Sequence, residues 1–138
     1  MLVEPGIQTS SFRLLFRLLT HHILKENLGT TLVHEHLFLD QSSFNAIDSE
    51  GEDVTLENLW KIKRDPYISP NNCVLDDVTE AIDEVNYFKR EGGNTIVDVT
   101  NCGLGRDVDK LKQLSSATGL NIITSTGFYV EQSHPDYV

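Results

Sequence analysis

"GGNTIVDVTNCGLGRDVDKLKQLSSATGLNIITSTGFY", residues 92–129, decides the fold. It opens with a β-branched run, Asn94 to Thr100, that reads as a strand. A helix is predicted from about Asp107 to Thr118, with Val108, Leu111 and Leu114 on its inward face and Gly119 as its C-cap. "LNIITSTGFY", residues 120–129, supplies the next strand. Strand, helix, strand is a βαβ unit, which demands parallel pairing and a right-handed crossover. The strands are nearly continuous apolar runs, as expected where helices cover one face of a parallel sheet.

Working back from this unit, a second helix is predicted from about Asp76 to Arg90. Val78, Ala81, Ile82, Val85 and Phe88 form its apolar stripe. Acidic residues in its first turn and Lys89–Arg90 in its last suit the helix dipole, and Gly92–Gly93 stops it. Before it lie a polar loop from Asp40 to Asp53, a short helix after Thr55 with Leu56, Leu59, Trp60 and Ile62, and "RDPYISPNN", whose prolines break any helix.

"TLVHEHLFLD", residues 31–40, reads as a further core strand, first in chain order. Side chains alternate along a strand, so His34 and His36 share a face and Glu35 takes the other. Their Cα atoms stand roughly 6.5 Å apart, close enough for both imidazoles to converge on one ion. Spacing alone leaves two readings open: a chelating pair, or two hydrogen-bonded core histidines. A zincin HExxH is excluded, because Phe38 occupies a position that motif would give to histidine. A dinucleotide fingerprint is excluded as well, since Val108 stands where "GLGRDV" needs its third glycine and the next strand ends without a carboxylate.

Residues 1–27 read separately. Phe12, Leu15, Phe16, Leu19 and Ile23 fall at helical spacing with Arg13 and Arg17 on another face, predicting an amphipathic helix or a poorly ordered leader. Cysteine usage predicts the cytoplasm; the Arg-containing, acid-poor character of this segment gives mitochondrial targeting as the alternative. His21 and His22 point about 100° apart on such a helix and are read as surface residues.

Composition bounds the partners. The net charge is −10, with eight basic and nineteen acidic residues beyond residue 30, so no nucleic-acid partner is expected. The sequence has no stretch approaching the roughly 20 apolar residues of a membrane span. Cys73 and Cys102 form no paired arrangement and suggest a reducing compartment.

Taken together, "LGTTLVHEHLFLD", "ENLWKIKRDPY", "NYFKREGG" and the 92–129 stretch, in that order, resemble the phosphotriesterase family of the amidohydrolase superfamily over about residues 28–138. The resemblance implies an α/β fold, a partial (β/α)8 TIM barrel carrying strands one to three with their helices. It implies metal-dependent hydrolysis of a small-molecule substrate (an ester, lactone, amide or phosphotriester) by metal-activated water. The cofactor would be a divalent metal, zinc first among the candidates, two per complete enzyme. His34 and His36 would be ligands of the more buried ion, and Tyr129 would line the substrate pocket.

By the same resemblance Phe128 would pack in the barrel wall. Arg106 and Asp107 would order a loop and start a helix, and Asp98 would be a satisfied buried carboxylate. Cys102 would be a packing residue. His134 matches no family ligand. The family's remaining ligands come from strands four, five, six and eight, which follow Val138 in the family's order. The chain is therefore expected to be an N-terminal piece of a metal-dependent hydrolase, inactive alone and holding less than one tight zinc because two histidines leave a tetrahedral site half empty; the alternative is a catalytically inactive barrel piece that folds only by oligomerising or by docking to a partner.

Overall fold

A computed structural model describes residues 15–17, 21–44 and 53–137. Seven short strands are found among them: β1 (Leu15–Arg17), β2 (His22–Leu24), β3 (Thr30–Glu35), β4 (Leu39–Asp40), β5 (Val74–Leu75), β6 (Gly93–Asp98) and β7 (Asn121–Thr124). Three helices join them: α1 (Leu59–Arg64), α2 (Val78–Arg90) and α3 (Val108–Thr118). The main sheet has the order β3-β6-β7 with both pairings parallel, as the βαβ pattern requires.

The helices start and stop where side chains can replace missing backbone partners. Asp77 caps α2 by accepting the amides of Thr79 and Glu80, and Asp107 caps α3 by accepting those of Asp109 and Lys110. Gly119 ends α3 in the left-handed conformation at φ +72°, which costs a glycine little. Lys89, in the last turn of α2, donates to the Thr118 carbonyl at the end of α3, where orphan acceptors and the helix dipole both favour a cation.

The core lies between the sheet and the α2/α3 pair. Phe38, Val85, Ile96, Leu111, Leu114, Leu120 and Ile122 are buried together, with Val78, Ala81, Ile82 and Phe88 of the α2 stripe packed against them. On α1 only Ile62 is buried; Trp60 stays exposed, because this six-residue helix offers the core a single position, and Leu56, in the turn before the helix, is exposed as well.

Two expectations change. Residues 15–17 and 22–24 pair antiparallel, Phe16 opposite Ile23, where one helix was expected across them. A helix of about a dozen residues is marginal on propensity alone, whereas cross-strand pairing satisfies the backbone directly. The rest of the expected helix, including Phe12, Arg13 and Leu19, lies outside the described residues. The strand carrying the two histidines is also shorter than expected. β3 stops at Glu35, after a register shift between Leu32 and Glu35, so His36 lies just past its end. The chain then re-pairs as β4 with β5.

Candidate functional site

Parallel strands bring their carboxyl ends to one edge of the sheet, the edge at which α/β folds gather functional groups. His36 follows β3, Thr100 and Cys102 follow β6, and Phe128 and Tyr129 follow β7. These three segments are stitched to one another. Val99 donates to the Glu35 carbonyl (2.9 Å), Ser125 to the Asp98 carbonyl (2.9 Å), and Cys102 and Tyr129 exchange backbone bonds with the β7 segment and the β6 segment respectively.

The His34 and His36 rings meet edge to face with centroids 5.8 Å apart. A ligating imidazole holds its centroid about 3.2 Å from the ion, so two rings on one zinc stay within about 6.4 Å of each other. The pair satisfies that condition. His34 is exposed, and its ring contact with His36 is its one described interaction. His36 is half-buried, its Nδ1 lying 3.0 Å from the Thr100 hydroxyl. Imidazole nitrogens are suitable donors for zinc and its first-row neighbours. Among the described residues no third histidine, cysteine or carboxylate joins them to complete a set of three.

His36 also lines a hollow of about 200 Å³ between the end of β3 and α2, whose rim carries Asp76, Asp77, Glu80 and Glu84. Hydrogen bonds from the Glu80 and Thr79 amides hold the Asp77 carboxyl below the usual range, so this rim is negative.

Beneath the histidines lies Asp98, fully buried. Its Oδ2 accepts the Leu37 amide (2.8 Å) and its Oδ1 the Thr100 amide (3.0 Å). It is thus a satisfied buried carboxylate that clamps the chain after β3 onto the chain after β6. Burial pushes its pKa up, and the bonds from Leu37 and Thr100, with the nearby His36, pull part of the way back.

The loop after β6 is built by glycine. Gly103 and Gly105 adopt φ of +98° and +79°; a Cβ at Gly105 would meet the Asp40 backbone nitrogen at 2.8 Å. That close approach lets Asp40 donate to the Leu104 carbonyl (2.9 Å), tying β4 to the loop. Arg106 donates to the Ser125 carbonyl (2.9 Å) and to Cys102 Sγ (3.2 Å), and so orders the loop, while Asp107 starts α3. Cys73 is buried with its thiol donating to the Ser69 carbonyl. Burial, and then the charge of Asp40, push its pKa up, away from nucleophile chemistry.

Tyr129 is 44% exposed, and its ring meets Phe44 edge to face, which in turn contacts Tyr67. These three rings make an aromatic wall beside the strand ends. Phe128, expected in a barrel wall, is instead 46% exposed; no further strand covers it among the described residues, and its ring packs on His134 and Tyr137. His134 bonds the Tyr129 carbonyl through Nε2 (3.1 Å). Thr100 is the residue that sequence reasoning passed over. In "DVT" it reads as one more β-branched strand residue, although a polar pair at positions 98 and 100 on one face of an apolar strand is the signal that singles it out.

Fold and strand-end geometry together define an α/β protein, a partial (β/α)8 barrel of three parallel strands with their helices. The family model described as the phosphotriesterase family matches residues 18–138, and the chain belongs to that family. The match begins ahead of residue 28, where the motif resemblance starts. The phosphotriesterase-related protein of Nematostella vectensis is 40% identical over 120 residues, covering 80% of this chain and 34% of that protein. The N-acetyltaurine hydrolase of Rattus norvegicus is 40% identical over 114 residues, covering 78% of this chain and 33% of that protein. A resiniferatoxin-binding protein from Rhodobacter sphaeroides superposes with a TM-score of 0.83 at 33% identity, covering 89% of this chain and 36% of that one. A lactonase from Listeria monocytogenes gives 0.64 at 27% identity, with 86% and 30% covered. The chain spans about a third of the length of the curated relatives it matches.

Proposed function

We propose that this chain contributes part of the metal centre of a metal-dependent hydrolase, with His34 and His36 as two ligands of one divalent ion, zinc by preference. The observation that carries the reading is the convergence of the two rings at the carboxyl edge of the sheet, 5.8 Å apart, with the His34 nitrogens uncommitted among the described residues. The names of the relatives, a hydrolase of an N-acyl amino compound and a lactonase, support a carbonyl centre in a small molecule as the point of attack.

A divalent ion in such a site supplies Lewis acidity and lowers the pKa of water toward neutrality. The chain's own residues do the rest that is encoded here. Asp98 and Thr100 hold the ligand strand against β6, and the rim of Asp76, Asp77, Glu80 and Glu84 favours cations near His36. Tyr129 and Phe44 present an apolar wall against which the non-reacting part of a substrate packs. The acidic surface argues for a small-molecule substrate over nucleic acid. Among the described residues no helix is long and apolar enough to cross a membrane. The two free cysteines suit a reducing, cytoplasmic setting.

Titration with cobalt(II) or zinc against a chromophoric chelator tests the proposal. The wild-type chain takes up the ion weakly, with less than one chelator-resistant zinc per chain, because two histidines fill half a tetrahedral site. His34→Ala and His36→Ala each weaken uptake by more than the roughly 10- to 100-fold typical of losing an outer hydrogen-bonding partner. Uptake unchanged in the double variant overturns the reading.

The exposed apolar residues of β3, Leu32 and Val33, favour a second reading in which the polypeptide is a non-catalytic piece that folds by associating with a copy or a complementary chain. Sedimentation of the purified chain separates the two: a stable monomer that binds metal supports the first, and an obligate assembly without metal uptake supports the second.

A further inference from the structure

Thr100 is 1% exposed, and every polar group it carries is engaged. Its amide donates to Asp98 Oδ1 (3.0 Å), its carbonyl accepts the Ser125 hydroxyl (2.6 Å), and its own hydroxyl stands between the Phe38 carbonyl (3.1 Å) and His36 Nδ1 (3.0 Å). A hydroxyl has one hydrogen to give and lone pairs to receive. The Phe38 carbonyl and the Asp98 carboxylate, which also faces this hydroxyl, are both acceptors, so the hydrogen goes to that side. What remains at Thr100 Oγ1 is a lone pair, and His36 Nδ1 must therefore carry the proton that fills the 3.0 Å gap.

A neutral imidazole protonated at Nδ1 has its lone pair on Nε2. We propose that Thr100 is a positioning residue that fixes the His36 ring and its tautomer, so that Nε2 is presented as the ligating atom. The proposal rests on His36 being a metal ligand. Nothing local in the sequence sets this arrangement, because the two residues are 64 positions apart and meet only through the parallel pairing of β3 with β6. Asp98 takes part indirectly: by holding the Leu37 and Thr100 amides with its two oxygens, it fixes the backbone on both sides of the His36–Thr100 bond. His34 has no such partner among the described residues. The two ligands therefore differ, one with its donor atom chosen before metal arrives and the other free to turn.

The test is nitrogen-15 NMR of the histidine rings in the full, metal-free chain at a pH where they are neutral, followed by titration with zinc. For wild type the His36 ring shows the Nδ1–H pattern with Nε2 unprotonated, while His34 shows the mixture of an unconstrained ring. Thr100→Val keeps the shape and removes the acceptor; it shifts His36 toward the Nε2–H form and weakens zinc uptake about 10- to 100-fold, the usual effect of losing an outer-shell partner. Thr100→Ser restores both, which a merely structural role for the side chain would not require. Should Thr100→Val fail to fold, the wild-type spectrum decides alone: a His36 ring that is Nε2–H or evenly mixed overturns the proposal. An Nδ1–H ring whose Nε2 signal does not move on adding saturating zinc leaves the tautomer as inferred but removes the ligand role beneath it, and so overturns the proposal by a separate route.

Discussion

β6 and β3 are neighbours in one parallel sheet, yet they live in different surroundings. β6 runs between two strands and under two helices, and Thr95, Ile96 and Asp98 are all buried. β3 pairs on one side only among the described residues, and Val33 is 70% exposed. The candidate site sits on the boundary between them. His36 is gripped from the β6 side, through Thr100, while among the described residues His34, two positions earlier, has only its neighbour's ring. The contrast teaches that the fold's rigidity reaches the site from one direction: the buried strand positions, and the edge strand presents.

The largest expected effect comes from breaking the buried side. Leu114 on α3 is fully buried in the cluster that backs β6 and β7. Leu114→Ala removes that contact area and leaves a cavity, for a loss of about 2–5 kcal/mol. Urea denaturation followed by circular dichroism measures it. A loss no larger than that of an exposed substitution would mean that the helices do not in fact support the sheet.

Next is Asp98, where the two strands are joined. Asp98→Ala leaves the amides of Leu37 and Thr100 buried without an acceptor, at about 1–3 kcal/mol for each group left unpaired. The carboxylate also gives stability a pH dependence whose sign follows from its raised pKa. Between the ordinary carboxylate value, about 3.9, and the raised folded value, the native state holds more protons than the unfolded one. Its contribution is therefore fully present below the ordinary value and is lost as pH rises through the folded one. Denaturation midpoints of wild type and Asp98→Asn across this window check the sign. The downward slope belongs to wild type alone, and an identical slope in the amide variant assigns it to another group.

How far the sequence could reach follows the same division. The helices α2 and α3 were legible, α3 with its start at Asp107 and its C-cap at Gly119, because an amphipathic stripe and a capping residue are local signals; the cap of α2 at Asp77 was supplied by the structure. The parallel order β3-β6-β7 followed from the βαβ pattern. The convergence of His34 and His36 was legible only as one of two possibilities, since period-two spacing says which face a residue takes and nothing about its partner. What decided the details was non-local. β3 ends at Glu35, and two residues on the Leu37 amide donates to the side chain of Asp98 on another strand instead of to a backbone carbonyl. Phe128 finds His134 and Tyr137 where the family resemblance placed it in a barrel wall. The hairpin of β1 and β2 replaces a helix whose periodicity was real but whose length gave it little stability by itself.

The smallest expected effect on stability tests the exposed side. Val33 sits on the open strand and makes little use of its side chain in the folded chain, so Val33→Lys changes stability by no more than about 0.5 kcal/mol. An edge strand with apolar side chains and unpaired backbone groups is nonetheless a template for another strand, and a lysine there is the device by which natural sheets block such pairing. If β3 is where copies of this chain, or a complementary chain, add to the sheet, Val33→Lys lowers association in sedimentation velocity while the urea midpoint stays put. The two readouts move independently only when the residue faces outward, which makes the comparison sharp: a variant that loses stability and association together places Val33 in a packed interior, and one that loses neither moves the contact to the other open edge, β7.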